Sequence, residues 1–298
     1  MSARSDRTLI PVRSQALTRR DTGPRIPVVW TIAGTDPSGG AGIQADVKVL
    51  HALGAHEGSV ITALIAQNSL GVRRVWPATA AQVRAQWTAL REDIPPDVIK
   101  LGMLATADIV REVVRAIRST GARTVCDPVF GSTGGRAFLP AAGVRAMRDH
   151  LLPAVAVLTP NRAEAERLLG RRLRRIGDVP RAAADLRALG PEAILLKGGH
   201  FGGARSADYY SDAQQAFWLI SRRLPARHTH GTGCALASAL AAFLAHGRPA
   251  PEAAVLAKAY MNQALRRGVS AGAGPGHPAH DGWPTCRADF PILRNAIA

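Results

Sequence analysis

Cysteine is scarce: 298 residues carry only Cys126, Cys234 and Cys286. The number is odd, the three lie far apart and none belongs to a C-x-x-C pair, which argues against a disulfide framework or structural zinc site and points to a reducing compartment. Aromatics make up only 5% of the chain, few to interleave with basic residues as stacking platforms for nucleic acid. Lysine stands only at 48, 100, 197 and 258, so the formal charge of +16 rests mainly on scattered arginines. That scatter reads as compositional bias rather than a nucleic-acid footprint, and it leaves a positive field that suits a phosphate-bearing substrate. No run approaches the ~18 consecutive apolar residues of a membrane span. Residues 1–26 hold no apolar core of a secretory signal, so a cytoplasmic chain without membrane contact is expected. Also missing are G-x-x-x-x-G-K-[ST] and a helix-opening G-x-G-x-x-G, which argues against a Walker-type NTPase and against dinucleotide binding.

What is abundant is apolar material, 47% of residues, arranged as short strands alternating with helices. The apolar runs predict strands at 27–33, 60–66, 98–102, 124–129, 155–159 and 193–197. The intervening spacing predicts helices at 43–53, 80–92, 108–119, 141–150, 163–169 and 179–189, then two more from Thr232 and from Pro251. Such alternation implies an α/β fold, with right-handed crossovers around a mainly parallel sheet and helices on both faces. Residues 207–211 and 216–224 form a hairpin pattern and predict an antiparallel addition at one sheet edge. The arginine-rich residues 1–25 show no sustained period and are expected to extend outside the fold. The domain spans 26–270, and the Gly-, Pro- and His-rich segment beyond reads as a tail through 298.

The most informative stretch runs from Arg227 to Leu244, where Thr229-His-Gly-Thr-Gly-Cys234 enters an Ala-rich apolar helix. Amides from Gly231 to Cys234 lack helical partners in the first turn, and the glycines leave them open to close approach, so with the helix dipole they form an anion cradle. Cys234 inside that cradle has its thiolate favoured. The same pattern taken alone serves equally to pack helix against sheet, with Cys234 as apolar filler. His228 and His230, two apart with no third ligand nearby, suggest structural or phosphate-contacting roles rather than a metal. Polar clusters at 34–42, 67–68, 100–103, 127–128, 159–161 and 197–200 all follow predicted strands. In an open α/β sheet those ends share one ligand-binding edge.

Six ordered segments carry a more specific signal: Thr31 to Asp46, Ser59 to Asn68, Lys100 to Met103, Thr159 to Glu164, Lys197 to His200 and Thr229 to Cys234. Together they resemble the hydroxymethylpyrimidine/phosphomethylpyrimidine kinases of thiamine biosynthesis, within the ribokinase-like superfamily. The likeness covers about residues 27–260. It implies a three-layer α/β/α sandwich, ATP and Mg²⁺ as cofactors, a homodimer, and stepwise phosphorylation of an aminopyrimidine alcohol to its mono- and diphosphate. By resemblance Cys234 is the base, where most of the superfamily has Asp. Gly231, Thr232 and Gly233 stabilise the transferring phosphoryl group, and Lys197 supplies a cation. Asn161 and Thr229 contact the nucleotide side, and Glu164 and Asp127 hold Mg²⁺ mainly through water. Gln67 reads the pyrimidine edge, while Gly34, Asp36, Asp46 and Met103 line its pocket. Without the resemblance, Glu164 and Asp46 read as ordinary helix carboxylates, Asp127 as a turn former and Lys197 as a solvated strand end. The run Phe130 to Gly135 departs from the family pattern. A pyridoxal kinase on the same scaffold is the alternative within the class, and a non-catalytic ligand- or nucleic-acid-binding protein is the alternative outside it.

Overall fold

The computed structural model describes residues 25–132, 135–199, 202–224, 227–283 and 286–296. The predicted extension up to residue 24, and Thr133, Gly134 and His200, lie outside the described residues. Strands and helices alternate as the pattern implies. They are β1 (Val28–Gly34), α1 (Gly42–Ala52), β2 (His56–Asn68), β3 (Gly71–Pro77), α2 (Ala80–Asp93), β4 (Val98–Leu101), α3 (Ala107–Thr120), β5 (Arg123–Cys126), α4 (Ala141–Ala146), β6 (Val157–Leu158), α5 (Arg162–Leu169), α6 (Val179–Arg187), β7 (Ala193–Leu196), β8 (Arg205–Ser211), β9 (Ala216–Arg222), α7 (Thr232–Ala245), α8 (Ala250–Arg266) and β10 (Ile292–Asn295).

All ten strands join one sheet in the order β10-β9-β8-β7-β6-β5-β4-β1-β2-β3. Its centre is parallel and its edges are antiparallel. Side chains of successive strand residues leave opposite faces, and the core divides accordingly. Val28, Trp30 and Ile32 pack with α2, α3, α5 and α6 on one face, whereas Val29 joins α1, α7 and α8 on the other. Every residue from Ala235 to Leu244 is buried, so α7 is an internal helix held between the sheet, α1 and α8. This places its first turn at the carboxyl edge of the central strands.

Two edges exceed the sequence reading. Strand β3 pairs antiparallel with the extended β2, and β10 adds to β9 beyond the expected hairpin. Both are short and mostly exposed, so their ladders form without a buried apolar run to announce them. The segment after 270 is likewise not a free tail. Tyr260 Oη donates to the His280 carbonyl at 2.8 Å, and the Ala279 amide to that of Ala264 at 3.0 Å.

Candidate active site

The turn ahead of α7 adopts the form that its glycines allow. Gly231 is left-handed, φ +78°, and a side chain there would run into the Gly40 carbonyl. Gly233 lies against the Asp127 carboxylate and the Lys197 ammonium. The start of α7 therefore lies against a charged cluster built from the ends of β5, β6 and β7. Lys197 Nζ donates to Asp127 Oδ1 at 2.6 Å and lies 3.8 Å from Glu164 Oε2. Thr159 Oγ1 donates to the same Asp127 oxygen at 3.2 Å. Burial opposes the Lys197 charge, but Asp127 and Glu164 outweigh it and hold its pKa above the ordinary value. Burial pushes Glu164 up to about 7, against the pull of Lys197.

Asn161 is the N-cap of α5: its Oδ1 accepts from the Glu164 amide at 3.0 Å, while Glu164 Oε2 accepts from the Asn161 amide at 2.6 Å. This reciprocal capping box fixes the carboxylate beside Lys197. Asn161→Ala is expected to lower stability by ~1 kcal/mol, measured by urea unfolding. An unchanged midpoint would show that the cap carries nothing.

Two carboxylates share one ammonium here, and burial, with a smaller contribution from Asp127, raises the Glu164 pKa. That donor set fits Mg²⁺, which takes one or two carboxylates and completes its shell with water and substrate phosphates. Among the described residues no group of three or more His, Cys, Asp or Glu is placed to hold a metal alone.

Cys234 is half-buried and lies close to the Gly42 amide. The expectation of a favoured thiolate is corrected here. Burial pushes the thiol up to about 11, and nearby Lys100 and the Gly42 amide oppose that only partly. Desolvation of a sulfur anion outweighs the helix terminus.

Two expected pocket-lining carboxylates stand behind the surface instead. Asp46 is fully buried. Its Oδ2 accepts from Lys100 Nζ at 2.7 Å and from Thr31 Oγ1 at 2.6 Å, and its Oδ1 from Ser238 Oγ at 2.8 Å. A buried lysine so close explains why this carboxylate turns inward. Asp36 is also fully buried. Its oxygens accept from the Ser38 amide and hydroxyl, from the Ala41 amide at 2.8 Å and from His230 Nε2 at 2.7 Å. Burial alone would raise Asp36, but hydrogen bonds from His230, Ser38 and Gln67 outweigh it and hold the carboxyl far below its usual range.

Gln67, at the end of β2, is partly exposed, and its amide helps hold the Asp36 pKa down. Gly34 and Met103 meet at the neighbouring ends of β1 and β4, the Met103 sulfur lying over the Gly34 backbone. Thr229 is exposed, and its carbonyl accepts from the Thr232 hydroxyl at 3.1 Å, closing the turn. Sequence reasoning assigned no role to Lys100, Thr159, Ser238 or the His230–Asp36 pair. Lys100 had a signal, since one of only four lysines stands inside the apolar run Val98-Ile-Lys-Leu101.

A family model described as phosphomethylpyrimidine kinase matches residues 36–279. The chain is 44% identical over 257 residues to the hydroxymethylpyrimidine/phosphomethylpyrimidine kinase of Streptomyces coelicolor, covering 86% of this chain and 95% of that protein. It is 38% identical to the Bacillus subtilis protein of the same name, over 84% of this chain and 93% of the other. Among solved structures, the pyridoxal kinase of Staphylococcus aureus in complex with ADP superposes with a TM-score of 0.82 at 30% identity, covering 91% of this chain and 98% of that one. The phosphomethylpyrimidine kinase of Clostridium difficile gives 0.71 at 34% identity, over 81% of this chain and 100% of the other.

Proposed function

The chain belongs to the phosphomethylpyrimidine kinase family and is a kinase, and from that premise we propose that it transfers the terminal phosphoryl group of ATP to 4-amino-5-hydroxymethyl-2-methylpyrimidine and then to the monophosphate. One observation carries the choice of site. A single buried carboxylate, Asp36, is hydrogen-bonded to His230, and the nearby Gln67 amide helps hold its pKa down, so the amide suited to an aminopyrimidine edge and the turn holding Cys234 are parts of one structure.

Gln67 offers a donor and an acceptor on one side chain, matching a ring nitrogen and its neighbouring amine. The hydroxymethyl group is directed toward Cys234 Sγ, whose thiolate form receives its proton as the new oxygen–phosphorus bond forms and the bond from the γ-phosphorus to the ADP oxygen breaks. Amides of Gly231 to Cys234 stabilise charge on the phosphoryl group in flight, and Lys197 neutralises charge on the phosphates. Asp127 and Glu164 would hold Mg²⁺, which supplies charge neutralisation across the phosphates when bound. Because the transition state of phosphoryl transfer is loose, the base guides the proton late, and a weakly ionised thiol serves.

We carry a homodimer and a cytoplasmic location within the same proposal. Exposed Leu64, Leu70 and Trp76 on the β2–β3 edge supply an apolar face for a second copy, and no described helix is long and apolar enough to cross a membrane.

The pyridoxal kinase alternative rests on the higher TM-score of that structure. The test is ADP release by the purified protein with ATP, Mg²⁺ and each alcohol in turn. Turnover of the aminopyrimidine alcohol and its monophosphate, with little of pyridoxal, is the expected result. Comparable turnover of pyridoxal selects the alternative, and no turnover of any alcohol selects a non-catalytic binding protein.

A further inference from the structure

His230 lies where three chain segments of the site meet. Its ring contacts the loop after β1, with Nε2 donating to Asp36 Oδ2 at 2.7 Å, and a side chain at Gly40 would collide with that ring. Its backbone amide donates to the Gly276 carbonyl at 3.1 Å. Gly276 in turn donates to the Arg227 carbonyl at 3.2 Å, and Val269 and His277 exchange backbone hydrogen bonds at 2.8 and 2.9 Å. Gly276 has no room for a side chain, which would meet His228 and the Val269 carbonyl. The same segment reaches the end of β2, where the Gly274 amide donates to Ser69 Oγ at 3.2 Å, two residues past Gln67.

The segment from 268 to 280 is therefore a strap that spans from the phosphate-facing turn to the substrate-reading strand. His230 fastens that turn from both sides, by its ring to Asp36 and by its amide to the strap. Asp36 already accepts from Ser38 and Ala41, so the loop it organises is a fixed reference.

We propose that His230 is a positioning residue for phosphoryl transfer: by bonding to Asp36 and to Gly276 it sets the register of the Gly231–Cys234 turn against Gln67, and thus the distance over which alcohol, base and phosphoryl group meet. The inference rests on the kinase reading above and deepens it. A small misplacement of reacting groups is costly when catalysis is mostly positioning. The imidazole acts through Asp36 and the turn, not by touching the reacting atoms.

The experiment compares His230→Ala with His230→Gln, whose amide keeps a donor near the Nε2 position. For the alanine variant kcat is expected to fall roughly 10- to 100-fold, with the KM of the aminopyrimidine alcohol changed less than about threefold. The glutamine variant is expected to recover to within about fivefold of the parent. Hydrogen exchange of the 231–234 amides, measured without any alcohol, is expected to quicken in the alanine variant and to return toward the parent rate in the glutamine variant. An unchanged kcat in the alanine variant, a loss confined to the KM of ATP, or a glutamine variant no better than alanine would each overturn the proposal. If the parent enzyme turns over pyridoxal instead, the substrate reading fails while the exchange measurement still decides the role of His230.

Discussion

Cys234→Ala is expected to reduce phosphoryl transfer by about 10²–10⁴-fold, the range for loss of a positioned proton acceptor, with ADP affinity nearly unchanged. Nucleotide affinity should survive because the amides of the turn, Lys197, Asp127 and Glu164 do not depend on the sulfur. The parent enzyme should also reveal the base through pH. With the thiol pushed up to about 11, the free enzyme holds mostly thiol at neutral pH, and its ionised fraction rises about tenfold per pH unit below that value. The sign follows: kcat/KM climbs with pH from 7 toward 9, because the deprotonated form accepts the proton. Cys234→Asp puts in an acid already ionised at neutral pH and should flatten the climb. Steady-state kinetics with the aminopyrimidine alcohol across that range, plus calorimetric titration with ADP, check all of this. A full-rate alanine variant would remove Cys234 from the mechanism.

The largest stability effect is expected at Lys100. Its ammonium and the Asp46 carboxylate are both fully enclosed, 2.7 Å apart. Burial pulls the ammonium down, yet Asp46, with Cys234 and Asp127, outweighs it and keeps the pKa above normal. Lys100→Met leaves Asp46 buried with only Thr31 and Ser238 as donors, and removal of one partner from such a pair costs about 3–5 kcal/mol. Urea unfolding gives the number. The double variant Lys100→Met with Asp46→Leu should recover much of the loss, since an apolar pair of similar volume replaces two desolvated charges. A single variant within about 1 kcal/mol of the parent, well below the buried-pair range, would show that the pair is not what holds this layer. Lys100 also lowers the Cys234 pKa, so the single variant should move the alkaline climb of kcat/KM to higher pH.

The fold was legible where side-chain periodicity is strong. The strands from Val28, Val98 and Ala193 are buried on both faces and read as continuous apolar runs. Strand β3 was not legible, because Gly71-Val-Arg-Arg-Val-Trp-Pro77 is mostly exposed and its partner is the preceding strand rather than the core. At the site, the glycine turn and the charged strand ends are local patterns, and Lys197, Asp127 and Glu164 do converge. The inward turn of Asp46 could not be read locally, since its partners stand 54 residues away at Lys100 and 192 away at Ser238.

By itself the amino-acid sequence determined the layered α/β architecture, the glycine-opened helix terminus and the set of polar groups gathered on one sheet edge. Periodicity and glycine conformational freedom act within a few residues, so those features need no knowledge of distant neighbours. Tertiary structure alone decided the protonation of Cys234, the burial of Asp46 with Lys100, and the bond between His230 and Asp36 across 194 residues. Charge and desolvation depend on what the folded chain brings within a few ångströms, and that is a property of packing rather than of sequence spacing.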